Sequence, residues 1–173
     1  MKQFKNFHVV DHPLIQHKLS LIREEATGHK IFRELVTELA ILLAFELTRD
    51  FATRPTKIGT PMASTTGNIL SGKDVVLLPI LRAGLGMVDG LLQMIPNARV
   101  GYAGMERDEE THKPVPYYFK IPKKPGNRRF IILDPMLATG GTAIASANSL
   151  KDLGAPRIKF MCLIAAPLSL IHI

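Results

Sequence analysis

A chain of 173 residues, 46% hydrophobic and 21% charged, is long enough for one α/β domain with a buried core and too short for two. No apolar run approaches the ~20 residues of a membrane-spanning helix, and the polar start Met1–Lys5 has no apolar signal segment. A net charge of +7 fits a solvated basic surface, an anionic small molecule or a nucleic acid, and is silent about fold.

Pro13 opens an amphipathic stretch in which Ile15, Leu19 and Ile22 fall at i, i+4 and i+7, and Thr27-Gly28 closes it. A second helix is expected from about Lys30 to Arg49, because Phe32, Leu35, Val36, Leu39, Leu42 and Leu43 repeat at helical spacing. These helices make up an N-terminal part, residues 1–51. Residues Ala52–Lys73 hold Pro55, Gly59, Pro61, Gly67 and Gly72 among threonines, which predicts a loop or a weak hairpin.

The pattern then changes. Val75–Leu81 is a continuous apolar run, as expected of a strand covered on both faces. A short helix over Met87–Ile95, a strand over Arg99–Gly104, a strand over Arg129–Leu133, a helix over Ile144–Leu153 ended by Gly154, and a strand over Ile158–Ala166 come next. Strand–helix–strand alternation calls for an α/β fold, a parallel β-sheet flanked by helices with right-handed crossovers. Residues 105–128 interrupt it with a protruding β arm that carries Pro114-Val115-Pro116-Tyr117-Tyr118-Phe119. Such an arm either packs on a partner or folds back on its own domain. The basic residues Lys120, Lys123, Lys124, Arg128 and Arg129 are broken by Pro122 and Pro125, which reads as a turn more than an RNA-binding arm.

In parallel α/β sheets ligands bind beyond the carboxyl ends of the strands, and two of those ends are unusual. After Arg129–Leu133 comes Asp134-Pro135-Met136-Leu137-Ala138-Thr139-Gly140-Gly141-Thr142, then a helix. Gly140 and Gly141 open the backbone to a ligand. The helix N-terminus attracts an anion, and Thr139 and Thr142 add hydroxyl donors. Asp134 has the wrong charge for a phosphate but suits the two hydroxyls of a ribose, so the loop suits a sugar phosphate. The plainer alternative is an ordinary helix cap with Thr142 as the capping residue. After Val75–Leu81 comes Arg82-Ala83-Gly84-Leu85-Gly86. Two glycines give a backbone-accessible turn there, and Arg82 can grip phosphate oxygens in a bidentate way.

These residues carry a resemblance. Asp134–Thr142 resembles the 5-phosphoribosyl-1-diphosphate (PRPP) signature of type I phosphoribosyltransferases, in the form found in uracil phosphoribosyltransferases. Pro79–Met87, Arg107-Asp108-Glu109-Glu110-Thr111, His12-Pro13-Leu14 and Phe32-Arg33-Glu34-Leu35 are similar to that family too. The resemblance covers about residues 8–167 and implies one phosphoribosyltransferase domain that converts uracil and PRPP to UMP and diphosphate, in pyrimidine salvage. It implies that Arg82, with Ala83 and Gly84, binds the diphosphate of PRPP, joined by Arg107 from the start of the arm. Asp134 would take the ribose hydroxyls, and Pro135, Met136, Leu137, Ala138, Thr139, Gly140, Gly141 and Thr142 the 5-phosphate. Arg82, Arg107 and Asp134 are thereby the candidate catalytic residues. It also implies a homodimer or higher homo-oligomer built through the arm, activation by GTP, and a strained, cis peptide near Leu81–Arg82. Other phosphoribosyltransferases carry acids at the places of Pro135 and Ala138. The single carboxylate here implies that Mg2+ arrives with PRPP and has no direct protein ligand.

The family continues past Ala165-Ala166-Pro167 with the segment that recognises uracil, whereas this chain ends Leu168-Ser169-Leu170-Ile171-His172-Ile173. The expectation is a truncated C-terminus with the uracil-binding residues unknown. Three rivals remain: a phosphoribosyltransferase for another base, a PRPP-binding or regulatory RNA-binding protein of the same fold, and an inactive fragment of it. Against RNA, the basic residues form no aromatic-interleaved stripe, so no nucleic acid is expected as a partner. Cys162 is the one cysteine. It reads as a buried small hydrophobe, and without a disulfide partner it places the protein in a reducing, cytoplasmic compartment.

Overall fold

The computed structural model describes residues 6–70, 74–107 and 114–166. Motif residues 108–111 and the chain end 168–173 lie outside these, as does the side chain of Arg107.

Two helices open the chain: α1 (Pro13–Arg23) and α2 (His29–Leu47). The α1 helix starts where the sequence predicts because His12 caps it, its Nδ1 accepting from the Leu14 N–H at 3.2 Å, with Pro13 in the first turn. Next comes a hairpin, β1 (Thr53–Gly59) and β2 (Ser64–Leu70), paired antiparallel from Thr53–Leu70 to Gly59–Ser64. Of the two readings for this stretch, the hairpin is the one formed. Its side chains are mostly exposed, so backbone pairing does more for it than burial.

The main sheet is built from β3 (Val75–Leu81), helix α3 (Leu85–Met94), β4 (Arg99–Val100), β5 (Tyr102–Arg107), β6 (Pro114–Lys120) and β7 (Arg129–Leu133). The short β8 (Met136–Leu137), helix α4 (Gly141–Asp152), β9 (Arg157–Met161) and the short β10 (Ile164–Ala165) complete the order. The strands run β6-β5-β3-β7-β9, with β4 also pairing β3. All these pairings are parallel except β5–β6, so the sheet is mixed where the pattern predicts a parallel one. The arm accounts for the difference. Its returning strand β6 doubles back on β5, and a chain that reverses through a short connection pairs antiparallel. Among the described residues the arm thus folds back on its own sheet.

Several boundaries differ from the pattern reading: α1 ends at Arg23, ahead of the Thr27-Gly28 stop, and α3 spans Leu85–Met94 where Met87–Ile95 is expected. The strand expected over Arg99–Gly104 is broken at Gly101, where a Cβ would sit 2.8 Å from the Lys120 carbonyl oxygen. Helix α4 starts at Gly141, three residues early, because glycines carry no helical periodicity to read. The last strand stops at Met161, and residues 164–165 pair with β8 in a separate two-stranded ladder.

Strand alternation makes two cores. Val75, Leu77, Ile131, Leu133 and Met161 pack under the helices α1, α2 and α3. Val76, Leu78, Ile80, Phe130 and Ile132 face the other way, with Leu150 of α4 and Ala155. The helices on the first face approach closely: a Cβ on Gly90 of α3 would lie 2.5 Å from the Thr37 carbonyl oxygen and 3.0 Å from Ala40 Cβ of α2. In an open helix Gly→Ala stabilises by up to ~1 kcal/mol. At Gly90 the sign should reverse: Gly90→Ala is expected to destabilise by roughly 1–3 kcal/mol through overpacking, read as a lowered urea midpoint at unchanged slope.

Candidate active site

The register of β3 on β7 decides the site. Val75 pairs with Arg129 and Pro79 with Leu133, so the loops that leave these strands emerge side by side. Adjacent strands are spaced by about 4.8 Å. One loop begins at Arg82 and the other at Asp134. Strand β5 lies on the far side of β3, with Leu81 paired to Gly104, and it ends at Arg107. Arg107 pairs with Pro114, whose ring carbons lie 3.8 and 3.9 Å from the place of a Cβ on Gly141. The three segments singled out in the sequence therefore converge at one end of one sheet.

Arg82 comes after a cis peptide at Leu81–Arg82, as the resemblance implies, and its side chain is exposed. No described residue forms an ion pair with it. The turn after it is tightened by N–H donation from Gly84 to the Ile80 carbonyl at 2.9 Å and from Leu85 to the Arg82 carbonyl at 3.2 Å. Ala83 is exposed but Gly84 is enclosed. The openness expected of this turn holds at Arg82, Ala83 and Gly86, not at Gly84.

In the second loop Gly140 sits in the left-handed region, φ 78°, and is the N-cap of α4 with no side-chain hydrogen bond. Glycine adopts that conformation without penalty. This overturns the plainer alternative of a Thr142 cap: Thr142 lies inside the first turn. A helix N-terminus without a side-chain cap leaves backbone N–H groups pointing at whatever occupies the loop, and its dipole favours an anion. Thr139 is exposed and Thr142 partly so, and the exposed Ala138 presents no acid.

Asp134 is half-buried at the entrance. Its N–H donates to the Met161 carbonyl at 3.2 Å, and its Oδ1 accepts from the Met136 N–H at 3.4 Å. Burial pushes its carboxyl above the ordinary value of 3.8, and the Met136 hydrogen bond opposes this in part. The side chain is thus a carboxylate short of partners, ready to accept hydroxyl donors. Cys162 sits close enough to feel that charge. Its thiol is pushed up from 9.0 to about 11, first by burial and then by Asp134. A thiol that holds its proton is a poor nucleophile, and Cys162 is half-buried where the sequence reading expects a buried small hydrophobe.

Pattern reading missed the support of the loop. The Pro135 carbonyl accepts from the N–H groups of Leu163 and Ile164, both at 3.1 Å, and the Leu137 carbonyl accepts from Ala166 N–H at 2.9 Å. Leu137 is buried, and Met136 is exposed. A two-residue ladder has no periodicity, so nothing in the residue pattern could announce it.

The charges of this region lead to two expected outcomes. A folded-state carboxyl raised by burial contributes stability in its protonated form, and that contribution is lost as pH rises through the folded value. Asp134→Asn should therefore raise the thermal midpoint at pH 7, and the gain should vanish below the ordinary carboxyl value of 3.8, checked by thermal melts across pH. For Cys162, two pKa units, from 9.0 to about 11, mean about a hundredfold less thiolate at pH 8 than in a free thiol of the ordinary value. Iodoacetamide labelling of the native chain should be slowed at least that much, and unfolding in urea should restore it.

Comparison with known proteins agrees with this geometry. The family model for uracil phosphoribosyltransferase matches residues 9–173. A uracil phosphoribosyltransferase of Desulfitobacterium hafniense is 59% identical over 160 residues, covering 92% of this chain and 77% of that protein. One from Bacillus velezensis is 57% identical over the same shares. Among solved structures, the AQ2163 protein of Aquifex aeolicus superposes with a TM-score of 0.88 at 36% identity, covering 94% of this chain and 78% of that one. A purine phosphoribosyltransferase of Pyrococcus horikoshii, at TM-score 0.57 and 21% identity over 78% of this chain and 75% of that one, shares the fold. The chain belongs to the uracil phosphoribosyltransferase family.

Proposed function

We propose that the chain transfers the 5-phosphoribosyl group of PRPP to a ring nitrogen of uracil, giving UMP and diphosphate. The carrying observation is the pairing of β3 with β7. It sets an exposed arginine beside a half-buried carboxylate and a helix N-terminus free of a side-chain cap, the complement of a ribose with phosphates at both ends. In this reading Arg82 and Arg107 hold the diphosphate, with the Ala83 backbone beside it. Asp134 accepts the ribose hydroxyls, and residues 135–142 wrap the 5-phosphate.

The C1–O bond to diphosphate breaks as the C1–N bond forms, through a transition state with oxocarbenium character. No protein nucleophile is needed. The chain's part is to hold base and sugar in line and to meet the charge gathering on the departing diphosphate. The donor set fits magnesium carried on the diphosphate, since Asp134 is the one acid in its loop. Bound there, magnesium would supply further charge neutralisation on the leaving group.

The family reading extends to a single catalytic domain, a cytoplasmic setting, a homo-oligomer and GTP as an activator. The exposed Val115, Tyr117 and Tyr118 on the edge strand β6 support assembly, because apolar side chains on a sheet edge invite a partner. No described helix is long and apolar enough to cross a membrane.

The test is diphosphate release from PRPP in the presence of uracil, cytosine, hypoxanthine or orotate. Where diphosphate is released, uracil and none of the other three bases is expected to drive the release. Arg82→Ala should lower it by on the order of 10²-fold, as for loss of one preorganised charge contact. Release with hypoxanthine in place of uracil, or an Arg82→Ala variant with unaltered PRPP affinity and turnover, would overturn the assignment.

A further inference from the structure

We propose that Gly84 is a positioning residue: it sets the separation of the two anion-binding loops by packing its backbone against the end of β7. This rests on the reading of the chain as a PRPP-using enzyme and adds to it a joint on which simultaneous grip of both ends of PRPP depends.

The backbone at Gly84 has φ −61° and ψ −19°, a conformation open to every residue, so the glycine is not there for conformational freedom. Space is the reason. A Cβ at this position would lie 2.2 Å from the Leu133 carbonyl oxygen, 2.8 Å from the Ile80 nitrogen and 2.9 Å from the Ile80 oxygen. All three are backbone atoms and cannot swing aside as a side-chain tip does. Leu133 is the residue before Asp134, so the Arg82 loop rests directly on the root of the ribose-phosphate loop. The Gly84 N–H is already engaged by the Ile80 carbonyl. Gly86, two residues on, is a useful contrast: it is exposed, and its Cβ would meet only Val36 Cγ1, at 3.3 Å.

A methyl group at Gly84 must push the Leu133 carbonyl and the Arg82 loop apart by about 1 Å or more to restore ordinary contact. Each loop keeps its own residues. What is lost is their spacing. A ligand that touches both loops should suffer, and a ligand that touches one should not.

The experiment is calorimetric titration of the wild-type chain, Gly84→Ala and Gly28→Ala with PRPP plus magnesium and, separately, with ribose 5-phosphate. For Gly84→Ala, PRPP affinity should fall by roughly 10²-fold, the scale of a 1 Å misplacement, and ribose 5-phosphate should bind as it does to the wild type. Gly28→Ala, at the N-cap of α2 where a Cβ would meet nothing within 4 Å, should bind both ligands as the wild type does. A Gly84→Ala variant that retains PRPP affinity, or that loses both ligands alike, overturns the proposal. Should the variant not fold, amide exchange on the wild type decides. The Gly84 N–H should be as protected as the β3 core amides before any ligand is added, and protection that appears only with PRPP would make Gly84 a ligand contact and refute the joint. A wild-type chain that binds neither ligand fails the PRPP reading itself, on a measurement in which Gly84 is untouched.

Discussion

The five residue pairs that join β3 to β7, from Val75–Arg129 to Pro79–Leu133, are the constraint on which the rest of the structure hangs. Each strand carries apolar side chains on both faces, so each must lie in the middle of a layered fold. Once they lie together in parallel, their carboxyl ends coincide. All the chemistry then depends on the residues that come directly after each strand. A shift of one residue in this register would turn Leu77 and Ile131 away from the helices that cover them, and it would also slide Arg82 along Asp134. Core packing and site geometry are set by the same ladder.

The long apolar segments are readable in the sequence because burial on both faces leaves only apolar residues. The bounds of Val75–Leu81 and Arg129–Leu133 are therefore legible, and so is the start of α1, where Pro13 marks it. The candidate site is readable because it is local in sequence: Asp134–Thr142 carries a carboxylate, glycines and hydroxyls in one run. What escapes is anything decided by a distant partner. Gly84 reads as an open turn until Leu133 is placed above it. Gly101 looks like part of one strand until the Lys120 carbonyl is seen to crowd it. The antiparallel strand β6 cannot be assigned while its two destinations, a partner or its own sheet, are equal in pattern. Pro79 is instructive in the other direction. A proline lacks the N–H that a central strand donates, yet it sits inside β3, three residues before Arg82, and a local rule that fails beside a site is the usual place for it to fail.

Asp134 shows the tension between stability and use. A carboxylate half withdrawn from water and given one long hydrogen bond, at 3.4 Å, is poorly solvated in the free chain. The same deficit leaves its oxygens open to hydroxyl donors. Neighbouring Cys162 shares the withdrawal but keeps its proton, so the pair brings a single negative charge to the loop.

The ladder of β8 on β10 carries a consequence for the order of folding. The carbonyls of Pro135 and Leu137 are satisfied by N–H groups of residues 163, 164 and 166, and Asp134 itself leans on Met161. Helix α4 and strand β9 must be in place before those donors exist. The loop 134–142, though continuous in sequence, is therefore a non-local object that closes after loop-closure entropy for the whole crossover has been overcome. A newly made chain would hold its sheet before it holds this loop.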